Sequence, residues 1–336
     1  MADKVEYIYK GAIENLQKYK DNPLVFTGKK SFELIEDYVK SALVSPYFYN
    51  DFSTNPKIEE IEKAIGVIDF KPNFIIAIGG GSVIDFAKIY RFKKALDVPL
   101  IAIPTTCGTG SEATQFAVYY ENQKKQSLDD VKILPDVAIV DSSLVEKNPK
   151  YLKACTSLDA YCQAIESYFA CKSTKESREY ARLAMELCKD NIIPYVQNGD
   201  DKSSFNMAKA SNLAGKAINI SRTTAAHAMS YSITTKYKIP HGHAVALNIG
   251  NLLEYNKDVD EKTLNDQRGV DFVKSRIKEI YELIGIKNAK EYFDDLFEKL
   301  EIENKRYKSD YIDPNRLKNN PRKIIDSDWE KYANNW

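Results

Sequence analysis

The chain of 336 residues is poor in several things at once: it has three histidines, two tryptophans, four methionines and no net charge at neutral pH, 48 Lys+Arg balancing 48 Asp+Glu. The even and scattered charge provides no long-range field for nucleic acid or an anionic membrane. No apolar run approaches the roughly 18 residues of a membrane-spanning helix, and the opening MADKVEYIYKGAIENLQ lacks the apolar core of a secretory signal. The five cysteines form no CxxC pair and no secreted framework, so they read as reduced, mostly buried thiols. A soluble cytoplasmic protein is expected. Internal repeats, low-complexity tracts and long linkers are also missing, as are the GxGxxG fingerprint and the GKS/T phosphate loop.

What is present falls into two halves. Up to residue 149, short apolar runs alternate with helical spacing. The candidate strands are LVFTG (24–28), NFIIAIGG (73–80), PLIAIPT (99–105), FAVYY (116–120) and VAIVD (137–141). SFELIEDYVKSA and NPKIEEIEKAIGVIDF lie between them as helices. Unbroken apolar strands alternating with helices predict a Rossmann-like α/β domain whose parallel sheet is covered on both faces. From residue 150 to 336 the segments read as helices with few strand candidates, which predicts an all-α second domain. The default place for a ligand is a cleft between such halves.

In IIAIGGGSVIDFAK (75–88) a buried strand runs into Gly79, Gly80 and Gly81, and Ser82 opens a helix. Glycines let backbone approach a pyrophosphate, and a helix start offers free N–H groups and the positive end of a dipole. Asp85, in the first turns, joins the candidate cofactor residues, although the dipole alone explains an acid there. A second small-residue loop, PTTCGTGSEAT, follows the next strand with Thr105, Thr106 and Thr109. Two such loops after two buried strands suit a dinucleotide.

All three histidines, His227, His241 and His243, lie in the single stretch HAMSYSITTKYKIPHGHAV. Asp159 and Gln163 sit four apart on an expected helix and so share a face. Each has an ordinary alternative, as a first-turn acid and a solvated helix residue. Together with His227 and His241 they form an oxygen and nitrogen donor set for one divalent metal, Fe2+ or Zn2+.

GGGSVIDFAK, PTTCGTGSEAT, LDAYCQAIESY and HAMSYSITTKYKIPHGHA stand in the order and spacing of the iron-containing (group III) alcohol dehydrogenases, and the resemblance covers nearly the whole chain. It implies a dehydroquinate synthase-like fold: an NAD(P)-binding α/β domain, a helical metal-binding domain, and hydride transfer between nicotinamide and an alcohol or aldehyde. The family's cofactor residues fall on Gly79, Gly80, Gly81, Ser82, Thr105, Thr106, Thr109 and Lys125, and its metal ligands on Asp159, His227, His241 and position 163. Two departures stand out. The family usually has histidine at Gln163, and its proton-relay histidine is here Tyr231, which leaves Tyr231 or His243 to relay the proton. A family aspartate that holds the adenosine ribose is here Gly28, followed by Lys29 and Lys30, which favours NADP(H) while allowing NAD(H).

DFSTNPK, SRTTAAHAMSY, IPHGHAVAL and RLKNNPRK resemble the phosphonoacetaldehyde reductase branch more closely. This implies a small anionic aldehyde as partner, held by Arg222, Thr223, Thr224 and His243, and the resemblance also implies a possible homodimer. Oxidation of an acidic sugar of the 3-deoxy-octulosonate type is the alternative substrate reading. A non-catalytic nucleotide-binding regulator or scaffold is the alternative of another class.

Overall fold

The computed structural model describes residues 4–324 apart from Leu34, Gln123, Arg306, 308–311 and 313–316. Arg316 of RLKNNPRK therefore lies outside the described residues. Two compact units divide the chain, Met1–Lys147 and Asn148–Trp336.

The first unit holds a six-stranded parallel sheet in the order β1 (Val5–Ile8), β8 (Val137–Val140), β5 (Leu100–Pro104), β4 (Phe74–Gly79), β2 (Pro23–Thr27) and β3 (Tyr47–Tyr49). Side chains alternate across it. Leu24, Phe26, Ile75 and Ala77 pack under the helices α3 (Ile58–Val67) and α4 (Gly81–Lys93), while Val25, Ile76, Ile78 and Ile139 pack on the opposite face with Leu16 and Val39. Both faces are covered, which is why the central strands are unbroken apolar runs.

Three segments differ from their expected form. FAVYY is a strand, but one of a separate antiparallel pair, β6 (Phe116–Glu121) with β7 (Lys124–Asp129). Its pattern is half-exposed, as a hairpin with one covered face requires. SFELIEDYVKSA breaks into α1 (Lys29–Phe32) and α2 (Glu36–Ala42). The edge strands β1 and β3 carry too little buried apolar sequence to stand out.

The second unit is helical: α5 (Lys150–Phe169), α6 (Lys175–Gln197), α7 (Asp201–Ser221), α8 (Ala225–Tyr237), α9 (His241–Lys257), α10 (Val270–Ile284) and α11 (Ala289–Lys299). Helix α5 is buried almost all round and packs against α6, α7, α9 and α10. An all-round buried helix carries polar residues only where they have partners or a task. Asp159, Gln163 and Glu166 lie on it at 4% exposure or less. Among the described residues no helix is long and apolar enough to cross a membrane.

Candidate metal centre and cofactor cradle

Asp159, His227 and His241 bring one ligand atom each to within 4.8 Å of one another. Asp159 comes from the middle of α5, His227 from the first turn of α8 and His241 from the first residue of α9. Nε2 of His227 is 3.3 Å from Oδ1 of Asp159, and Nε2 of His241 is 4.0 Å from it.

Hydrogen bonds on the far side of each ring fix which nitrogen faces this point. Nδ1 of His227 meets Oε2 of Glu166. An ionised carboxylate can only accept, so Nδ1 carries a proton and Nε2 is the nitrogen left to coordinate once its own proton is displaced. Ser230 donates its one hydroxyl proton to His227 O at 2.7 Å, so at 3.2 Å it can only accept from Nδ1 of His241. Both imidazoles are thereby held as Nε2 donors aimed at one carboxylate oxygen. One turn along α5, Gln163 Oε1 is buried without a hydrogen-bond partner, a costly state unless something occupies the space before it. Two oxygens and two imidazole nitrogens, with outer partners orienting the rings, fit a divalent cation. The His241 side chain is 33% exposed against 5% for His227 and Asp159, so the donor set is open on that side.

Glu166 was not singled out by the sequence, though its signal was there: Asp159, Gln163 and Glu166 are spaced 4 and 3 apart, one face of a helix. It is fully buried, and Oε1 accepts from Thr224 N (3.0 Å), Thr224 Oγ1 (2.5 Å) and Ala226 N (3.0 Å). The carboxylate thus caps the start of α8 from α5, where free N–H groups and the helix dipole favour an anion.

Burial by itself would lower the pKa of His227, but Glu166 and Asp159 outweigh it and push it from 6.5 up to about 9. Metal must displace that proton at neutral pH, so affinity should rise close to tenfold per pH unit from pH 6.5 and level off near 9. The metal-free protein runs the other way. A raised folded-state pKa stabilises fully below 6.5, and that contribution disappears as pH climbs through about 9. Chelator competition and melting curves of metal-free protein across this range check both slopes; a flat affinity profile contradicts the arrangement.

In the first unit, the chain order steps from β2 outward to β3 and then back across to β4, so the carboxyl ends of β2 and β4 form a topological switch point. Gly28 and Gly79–Gly81 meet there, Gly28 N donating to Ile78 O at 3.3 Å. The loop after β5 is tied alongside by Thr105 N to Gly79 O at 3.0 Å. A Cβ on Gly79 would lie 2.4 Å from Val83 and one on Gly81 2.7 Å from Thr109, so the bare backbone is required for so tight a strand-to-helix turn. Such a bare, N–H-rich turn at a switch point fits a pyrophosphate.

Residues 7–142 match the family model described as iron-containing alcohol dehydrogenase, and residues 153–308 match the one described as Fe-containing alcohol dehydrogenase family, C-terminal. The chain belongs to the iron-containing alcohol dehydrogenase family. These are oxidoreductases acting on CH–OH groups. The NADPH-dependent butanol dehydrogenase of Clostridium saccharobutylicum is 32% identical over 279 residues, 74% of this chain and 72% of that protein. The phosphonoacetaldehyde reductase of Streptomyces viridochromogenes is 31% identical over 225 residues, 59% of this chain and 57% of its own length. The structure of sulfoacetaldehyde reductase from Bifidobacterium kashiwanohense in complex with NAD+ superposes with a TM-score of 0.78 at 26% identity, covering 99% of this chain and 97% of that one. The chain spans 31% and 33% of the length of two aldehyde-alcohol dehydrogenases that it also matches.

In this member of the family, several residues expected to face ligands make hydrogen bonds within the protein. His243 donates from Nε2 to Glu303 O (2.7 Å), so its Nδ1 accepts from Tyr151 Oη (3.1 Å), and the ring packs on Phe297. Two helical positions past His241 is a turn of about 200°, which points it away from the cluster. Burial lowers its pKa and keeps it neutral. His243 thus ties α9 to the 302–305 segment, and both of its ring nitrogens are engaged away from the cluster. Thr224 spends its hydroxyl and its N–H on Glu166. Arg222 Nη1 caps α7, donating to Ile218 O (3.3 Å) and to Asn219 O, and Thr223 is half-buried beside it. Tyr231 is next to the cluster, its ring lying flat on His241 at 5.6 Å between centroids.

In the cradle, Ser82 Oγ donates to Thr54 O. Asp85 accepts from Ser111 Oγ (2.5 Å) and Val118 N (2.9 Å), so it fastens α4 to the following loop and hairpin; burial raises its pKa. Lys125 is half-buried on β7, and its charge acts on Asp85. Lys88, which the sequence reading passed over, is fully buried with its pKa lowered to about 8 by burial. It donates to Ser111 Oγ (2.9 Å), Thr114 Oγ1 (3.1 Å) and Phe116 O (2.9 Å), holding the end of the second loop.

Proposed function

We propose that the chain is a metal-dependent, NAD(P)H-linked reductase of a small anionic aldehyde, converting phosphonoacetaldehyde to 2-hydroxyethylphosphonate. The observation that carries this is the Asp159, His227 and His241 cluster, whose imidazole tautomers are both set for coordination. Asp159, Gln163, His227 and His241 would hold one Fe2+ or Zn2+. Bound there, the metal would polarise the aldehyde oxygen as a Lewis acid, and nicotinamide would supply the hydride.

The remaining work belongs to side chains. Asp159 is the one anionic donor among the four, so a divalent ion held by them would keep one positive charge in excess of its direct donors, able to meet a developing alkoxide on the open side at His241. The Tyr231 phenol lies beside that opening, its ring stacked on His241, and we assign it proton delivery. Arg222 and Thr223 remain as the contacts for the anionic group. The likeness to two reductases named for phosphono- and sulfo-substituted acetaldehydes supports a tetrahedral oxyanion on a two-carbon aldehyde. Exposed Lys29 and Lys30 after Gly28, with no acid at that turn, favour the 2′-phosphate of NADP(H) over NAD(H).

The test is NADPH oxidation by chelator-stripped protein with Fe2+, Zn2+ or Mn2+ returned. Phosphonoacetaldehyde should exceed butanal in kcat/KM by at least about tenfold, the scale of one charge-assisted contact. His241→Ala should lose metal and turnover together. Equal rates on charged and neutral aldehydes would remove the anionic substrate, and a strong NADH preference would remove the cofactor assignment.

A further inference from the structure

The segment 317–323, from the RLKNNPRK motif, runs across the helical unit with two adjacent buried asparagines, Asn319 and Asn320. Their side chains make the same number of hydrogen bonds to different places. Asn320 donates to Asn256 Oδ1 (2.9 Å) and Arg322 O (2.6 Å) and accepts from Asn256 Nδ2 (3.1 Å), near the carboxyl end of α9. Asn319 donates to Ser221 O and Thr223 O, both at 2.9 Å, and accepts from Lys172 N at 3.0 Å; its own carbonyl accepts from Cys171 N at 3.0 Å.

Those partners flank two of the three helices that carry the metal donors, following α5 and preceding α8. Cys171 and Lys172 follow the end of α5, which bears Asp159, Gln163 and Glu166. Ser221 and Thr223 flank Arg222, whose φ of 62° with a ψ of 174° is a backbone conformation that non-glycine residues rarely adopt. Such a backbone persists only where its surroundings over-determine it. The next residue, Thr224, begins the run of N–H groups that Glu166 accepts, and Glu166 orients His227.

We propose that Asn319 is a positioning residue of the metal centre: by gripping the carbonyls on both sides of Arg222 and the chain after α5, it holds the α7–α8 turn against Glu166 and so sets metal affinity through His227. This rests on the metal-site reading above. Asn256, the partner of Asn320, is fifteen residues from His241, about 22 Å along the helix, so Asn320 supplies a matched comparison without that connection.

The experiment measures Co2+ affinity by chelator competition, the ligand-field absorption of bound Co2+, and melting temperature, in wild type, Asn319→Ala, Asn320→Ala and His241→Ala. Asn319→Ala should bind Co2+ on the order of tenfold more weakly or worse, with an altered absorption band. Asn320→Ala should lose similar thermal stability and keep its affinity within twofold. If Asn319→Ala does not fold, Asn319→Asp decides, since it keeps the acceptor for Lys172 N–H and loses donation to the two carbonyls; the same weakening is expected. Affinity near wild type in a folded Asn319 variant, or equal weakening in both asparagine variants, overturns the proposal. Wild type that does not bind Co2+, or His241→Ala that binds it as well, overturns the metal-site reading and the proposal with it.

Discussion

Gly242→Ala should leave a protein that purifies without metal and melts well below wild type. Gly242 follows His241 in the first turn of α9, and a Cβ there would sit 2.0 Å from Cys155 O, 2.7 Å from Asp159 Cβ and 3.0 Å from Asp159 N. Comfortable heavy-atom contact is about 3.5 Å, so α9 would have to retreat from α5 by more than about 1 Å. The obstacle is backbone, which cannot rotate aside. That retreat separates Asp159 on one helix from His241 on the other, so the same methyl group damages packing and chelation together. Overpacking of this sort costs about 1–3 kcal/mol or more. Gly66→Ala is the control: it lies in α3 with nothing within 4 Å of an added Cβ, and it should be neutral or stabilising by about 0.5–1 kcal/mol. Metal content after dialysis and a melting curve read the pair. A Gly242→Ala protein with full metal would show that α5 and α9 do not need this close approach.

The parts of the fold that the sequence announced share one property, continuous burial. LVFTG, NFIIAIGG, PLIAIPT and VAIVD lie in the sheet interior, where both faces are covered and the strand residues are almost all apolar. FAVYY looked the same by composition and went to a hairpin, because a short apolar run does not state its partner. VEYI and YFY were silent because edge strands bury little. At the site, residue type led to Asp159, His227 and His241. The position of His243 was not legible in the same way: its neighbours in sequence are metal donors, but its hydrogen-bond partner Glu303 is sixty residues away. Asn319 shows the limit from the other side, since its importance lies in two carbonyls about a hundred residues distant.

Glu166 has the largest consequence among the residues that the sequence reading did not single out, and replacing it with glutamine isolates its chemistry from its shape. Glu166→Gln keeps the volume and an oxygen that can accept from Thr224 N and Ala226 N, so α8 stays capped. What changes is the atom facing His227 Nδ1. With its oxygen on the helix N–H groups, the amide offers NH2 to the ring, and an N–H donor can only be met by an unprotonated Nδ1. The imidazole proton then moves to Nε2, the nitrogen that lies 3.3 Å from Asp159 and must be bare to coordinate. Metal affinity should fall by about 10–100-fold, the usual loss for an outer partner of a metal-bound histidine, in a protein whose far-UV spectrum is unchanged. Glu166→Ala should lose the metal as well, but with several buried N–H groups left unpaired at about 1–3 kcal/mol each it should also unfold readily. The pH profile adds a second discriminant. Without the Glu166 carboxylate the largest influence raising the His227 pKa is gone, so the rise of metal affinity with pH should level off at a lower pH in Glu166→Gln. A glutamine variant that binds metal as wild type does, with the same pH slope, would mean that Asp159 alone sets the state of His227.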